Sequence, residues 1–147
     1  MNVNEQLKMK GELTIVHRSE DGSIKNALHV PNLVVTVGKN YIASRIVGTA
    51  SNVMSHMAIG TGTATPVAGD QVLGTEAGRV TLASFSSSGN QVTATATFPA
   101  GTGTGAITEA GIFNAVSAGT LLCRTTFPVV NKAAGDSIAI TWVITVS

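Results

Sequence analysis

The chain has 147 residues and a formal net charge of +1, with 44% hydrophobic and only 12% charged residues, about half the usual ~25% charged share. Its length fits one domain that buries roughly two thirds of its unfolded surface. Near-neutrality gives no electrostatic reason to expect nucleic acid, no apolar run approaches the ~20 residues of a membrane-crossing helix, and the lone Cys123 excludes an intramolecular disulfide.

Taken in order, residues 1–10 (MNVNEQLKMK) read as a flexible N-terminal arm without the apolar core of a signal peptide, so synthesis in a cytoplasm is expected. Residues 11–147 read as a single domain. The alternation in Glu12 to His17 places Leu13 and Ile15 inward, and Asp21-Gly22 is a hairpin turn. Residues 23–37 are extended, with Ile24, Leu28 and Val30 on one parity and Leu33, Val35 and Val37 on the other. Pro31-Asn32, where the parity flips, marks a bend or bulge.

Residues 38–47, GKNYIASRIV, are the one convincing helix, with Ile42 and Ile46 at i, i+4 and a stop at Gly48; the expectation is a plug over an open end of the sheets. Val53 to Gly60 is the next strand, with Met57 and Ile59 sharing a parity, and a Gly- and Pro-punctuated excursion follows. Residues 79–86 and 91–98 read as a hairpin around Ser88-Gly89-Asn90, with Val92, Ala94, Ala96 and Phe98 inside. Strands over 107–114 and 120–130 come next, the second placing Leu121, Cys123, Thr125, Phe127 and Val129 on one side, with Pro128 marking an edge or bulge.

The closing stretch, DSIAITWVITVS, has the strongest pattern. Ile138, Ile140, Trp142, Ile144 and Val146 recur every second residue, which only a strand can put on one face. Trp142 is expected at the centre of the core. About eight strands at near-regular spacing with one short helix predict an all-β antiparallel sandwich, with a jelly roll among the arrangements that fit.

The chemistry-bearing residues form no recognisable constellation. Gly60-Thr61-Gly62-Thr63 and Gly101-Thr102-Gly103-Thr104-Gly105 lack the lysine and following helix of a phosphate cradle and read as loops. His17, His29 and His56 lack metal spacing and read as strand histidines. Asp70, Glu76, Glu109 and Asp136 are the available carboxylates. Glu109, mid-strand, reads as an ion-pair or interface residue with Arg79 or Arg124 as partner, in preference to a catalytic acid. Ser84, Ser86, Ser87 and Ser88 lack a nucleophile-elbow context, and Cys123 reads as a small buried hydrophobe. The sequence therefore leads to no expected catalytic, cofactor-binding or metal residue, and to a non-enzyme.

Four segments together carry a resemblance: GELTIVHRSEDGSIKNALHVPNLVVTVGKNYIASRI, MSHMAIGTGTATP, ATFPAGTGTGAITEAGIFNA and LLCRTTFPVVNKAAGDSIAITWVITVS. Their order resembles small virion structural proteins of tailed bacteriophages, a group that includes head cement or decoration proteins and tail-fibre-like proteins. The most specific parts are SHMAIGTG, ITEAGIFN and the closing strand. The resemblance implies a self-associating β-sandwich, as a dimer or trimer, located on the capsid surface and gripping the major capsid protein. Low charge and threonine-rich outward faces suit such packing on their own terms. The alternative is a tail, baseplate or tail-fibre component. Its glycan-binding form is disfavoured because Trp142, Phe98 and Phe127 all read as core. Neither nucleic acid nor membrane is expected as a partner. The arm and residues 50–78 are the expected shell contacts.

Overall fold

The computed structural model describes residues 4–147. Among these, ten strands and one helix build two five-stranded antiparallel sheets. The first sheet contains β1 (Met9–Arg18), β2 (Ile24–Pro31), β6 (Ser84–Ser88), β7 (Gln91–Phe98) and β10 (Ser137–Val146) in the order β2-β1-β10-β7-β6. The second contains β3 (Leu33–Val34), β4 (His56–Gly60), β5 (Glu76–Thr81), β8 (Gly105–Phe113) and β9 (Leu121–Lys132) in the order β3-β9-β8-β4-β5. Helix α1 spans Thr36–Ile46. The expected all-β sandwich is the fold, built around hairpins β1–β2, β4–β5, β6–β7 and β8–β9.

The core lies between the sheets. Leu13 and Ile15 from β1, Ala94, Ala96 and Phe98 from β7, and Ile138, Ile140, Trp142 and Ile144 from β10 meet Met57, Ile59, Ala110, Ile112 and Cys123 from the other sheet. Trp142 has no exposed surface. β10 occupies the middle of its sheet, paired with β1 over Ser137 to Val146 and with β7 over Ile138 to Thr145, so its alternating apolar residues are enclosed from both sides.

Several expectations change. Residues 79–86 are not one strand: β5 pairs with β4 in one sheet and β6 with β7 in the other, the chain crossing at Leu82-Ala83. Ile24 is 61% exposed rather than sharing the inward parity of Leu28 and Val30, because a bulge between His17 and Arg18 shifts its register. In β9, Val129 is exposed and Val130 buried, because β8 advances from Ile107 to Glu109 while β9 runs from Val130 to Thr126, with Pro128 in the bulge it was expected to mark. A second bulge, between Ile112 and Phe113, puts Leu121 on the outer face while Cys123 stays in the core. Finally, α1 starts at Thr36, before residue 38, because Val35 and Val37 are not strand residues but pack outside the second sheet with Leu73, Phe113 and Leu121.

The helix lies against β9. A Cβ on the buried Gly38 would collide with the Leu122 carbonyl, so glycine permits this approach. Ile42 packs on the core, but Ile46 is 79% exposed, so only the first half of the helix acts as a cover. The strand β1 begins inside the expected arm, Met9 and Lys10 pairing with Val146 and Thr145. The start of that arm, residues 1–3, lies outside the described residues.

Candidate functional site

The densest polar site is on the outer face of the second sheet, beneath the excursion between β4 and β5. Strand alternation puts Ala110 and Ile112 of β8 into the core and therefore turns Glu109, Gly111 and Phe113 outward. The excursion folds back over this face, with Leu73 packed among Ala58, Phe113 and Leu121. Glu109 is thereby enclosed completely, at 0% exposure. A carboxylate so placed is tolerable only with full hydrogen bonding.

Glu109 has that bonding. Its Oε1 accepts from the backbone N–H groups of Gly62 at 2.8 Å and Thr75 at 2.7 Å. Its Oε2 accepts from the Gly74 N–H at 2.8 Å and from Arg124 Nη2 at 2.9 Å and Nε at 3.3 Å. Burial pushes this carboxyl up, but the Thr75 and Gly74 N–H groups, Arg124 and the Gly62 N–H outweigh it and hold it below its ordinary value. Arg124 in turn donates from Nη1 to Asp70 Oδ2 at 2.7 Å and from Nη2 to the Ala64 carbonyl at 3.0 Å. Asp70 Oδ2 also accepts from the Val67 N–H at 2.9 Å. One anion and one guanidinium thus hold residues 62, 64, 70, 74 and 75 against the sheet.

The glycine run at 60–63 has a corresponding purpose. It cradles an anion, but the anion is the chain's own Glu109. A Cβ at Gly62 would lie 2.5 Å from Glu109 Oε1, and one at Gly60 would lie 2.6 Å from it, so the close approach requires glycine at both positions. At the other run, Gly103 takes φ 66° and stands against Gly78 and Ile59.

Glu109 has Arg124 as partner, one of the two anticipated. Arg79, the other, forms a two-point ion pair with Glu76, at 2.6 and 3.1 Å. Its Nη1 also donates to the Ala115 and Ala118 carbonyls, and its guanidinium lies 3.8 Å from the centre of the Phe113 ring. The role of Asp70 in orienting Arg124 and the stacking of Arg79 on Phe113 have no local sequence signal. Each joins residues more than thirty positions apart.

Asp136 forms the second buried carboxylate site, at the β9–β10 turn. Oδ2 accepts from Lys25 Nζ at 2.9 Å and the Ala133 N–H at 2.9 Å, and stands 2.8 Å from His17 Nε2. Lys25, then the Ala133 N–H and His17, hold the carboxyl well below the usual range. Lys132 is also buried, donating to the Pro99 carbonyl at 2.9 Å, and burial lowers its ammonium pKa.

The other singled-out residues are dispersed. His29 is exposed beside Glu12, while His56 lies 2.8 Å from Ser55 Oγ. Among the described residues, no three His, Cys, Asp or Glu side chains are grouped as a metal site. Cys123 is fully buried, which pushes its thiol up and out of the reactive range. Ser84, Ser86, Ser87 and Ser88 lie along the exposed edge strand β6.

Comparison with protein-family models, with curated proteins and with solved structures finds no match to this chain. What the fold and the site define is an all-β sandwich whose buried charges clamp a long loop onto one sheet.

Proposed function

We propose that this chain is a structural protein of a tailed-bacteriophage virion: a cement protein on the outside of the head that bridges neighbouring major capsid subunits. The observation that carries the reading is the clamped excursion. Glu109 and Arg124 pin it from beneath, while Val67 and Val72 stand 57% and 64% exposed on it. Apolar side chains on a loop already fixed in place can be buried against a partner with little further ordering cost. The four resembling segments include both the start of this excursion and the strand carrying Glu109.

The mechanism is mass action. A chain that binds the expanded shell and not its separated subunits stabilises the shell against the pressure of packaged DNA. Self-association would let one unit hold several shell subunits at once. Immunogold labelling of intact virions with antibody against this chain tests the location. Gold spread evenly over the head is the expected result; gold confined to the tail overturns it in favour of a tail, baseplate or fibre component. For the mechanism, Val67→Asp combined with Val72→Asp should abolish binding to purified shells and leave the melting temperature within a few degrees. Retained binding would remove the excursion from the contact.

A further inference from the structure

The sandwich has four sheet edges, and they are not alike. An edge strand presents unpaired backbone N–H and C=O groups, which proteins normally blunt with charge, proline, bulges, shortness or a covering loop. The edge strand β2 carries Lys25, His29 and Pro31 and a bulge near Ile24. The edge strand β3 is only two residues long and leads into α1. The edge strand β5 carries the Glu76–Arg79 ion pair, with Arg79 bound to the 115–118 loop and Gly78 pressed against Gly103.

The fourth edge, β6, carries no charge, proline, bulge or covering loop among the described residues. Its sequence is SFSSS, and all five residues are exposed. Among the described residues, Ser84–Ser88 make no backbone hydrogen bond outside their pairing with β7. Every second residue of such an edge turns its N–H and C=O outward. Phe85, opposite the buried Ala94, overhangs the rim of the core at 39% exposure.

Charge selects the occupant. No charged residue occurs between Arg79 and Glu109, so β6, its hairpin partner β7 and their turn are all neutral. A neutral edge can meet its own copy without like-charge repulsion and offers no attraction to a charged partner strand. We infer that β6 pairs antiparallel with β6 of a second copy, about a two-fold axis at Ser86. That register sets Ser84 opposite Ser88 and Phe85 opposite Ser87, uses the whole strand, and joins two five-stranded sheets into one of ten. It also covers Phe85. The inference deepens the self-association in the proposed function and rests on that part of it alone.

The test is the mass of the full chain in solution, by light scattering or sedimentation over a concentration series. The seam is short, so the wild-type pair should dissociate on dilution, from twice the 14.9 kDa chain mass toward one. S86K sets two ammonium groups facing each other across the axis and should halve the mass at high concentration; S86E should do the same. An equal mixture of the two should recover the wild-type mass, because opposite charges then face each other. Ser86 is exposed, so at dilutions where the wild type is monomeric all variants should keep its melting transition. A monomeric wild type at high concentration, an S86K chain of unchanged mass, or a mixture that stays monomeric overturns the inference. None of these outcomes bears on where gold labels the virion.

Discussion

Glu109 on β8 and Asp136 at the start of β10 are both withdrawn from solvent, at 0% and 3% exposure, and each anchors chain that would otherwise be loose. They differ in their cations. Glu109 is matched by Arg124, which is itself only 2% exposed and cannot lose its proton in a protein. Asp136 is matched by Lys25, whose side chain is 43% exposed, and by His17, an imidazole that can be a neutral donor. Loss of Glu109 leaves a buried permanent charge with Asp70 as its one remaining anion. Loss of Asp136 leaves one cation that water can solvate and one ring that can be neutral. Buried ion pairs of similar geometry therefore differ in consequence according to what the surviving partner can do.

The largest effect should come from Glu109→Gln. It removes the buried one of the two anions on the enclosed Arg124, leaving only the partly exposed Asp70, and directs an amide NH2 toward backbone donors. The expected loss is about 3–5 kcal/mol of unfolding free energy, measured by chemical denaturation. Protease cleavage within residues 61–75 should appear at the same time. A loss below about 1 kcal/mol would erase the contrast between the two carboxylates, since surface pairs cost that much.

Gly62→Ala should come next. Its methyl group would meet Glu109 Oε1, and the loop must lift to admit it, for about 1–3 kcal/mol as overpacking. Combining the two substitutions should cost less than their sum, because both act on one contact. Strict additivity would show that Gly62 acts independently of the carboxylate.

The smallest effect at neutral pH should be that of Asp136→Asn, a lower melting temperature by less than either change above. Its signature is the pH dependence. The folded-state pKa of Asp136 lies below its unfolded value, so its stabilisation is present above about pH 3.9 and is lost as pH falls through the folded value. The difference in melting temperature between wild type and Asp136→Asn should therefore shrink steadily as melts are taken below about pH 4. Glu109 follows the same sign, from about pH 4.3 downward. A gap that widens in acid would sink the assignment of Asp136 as a stabilising anion.

Much of this architecture is legible in the amino-acid sequence. The inward sets of β7 and β10 follow from a period of two, and the pairing of Glu109 with an arginine follows from a carboxylate placed mid-strand. Three other parities failed at bulges, those of Ile24, Leu121 and Val129. Nothing in the neighbours of Ile24 or Leu121 marks the extra residue that turns each off the expected face, whereas Pro128 does mark the bulge beside Val129 without showing which parity follows it. Similarly, Arg79 to Ser86 reads as one strand because a crossing between sheets at Leu82-Ala83 preserves extended backbone on both sides.

Residue pattern and composition suffice for the fold class, the strands with unbroken alternation, the buried place of Trp142 and Cys123, and the neutrality of the β6–β7 hairpin. All of these are local properties of the chain. Which sheet each strand joins is not local, nor is the covering of the second sheet by α1 and the excursion, nor the convergence of Gly62, Gly74 and Thr75 on Glu109; these belong to the folded molecule. The physical reason is distance along the chain. A carboxylate and the N–H groups that satisfy it can be 47 residues apart, and their meeting is set by how sheets stack and loops close, not by any pattern within a few residues of either.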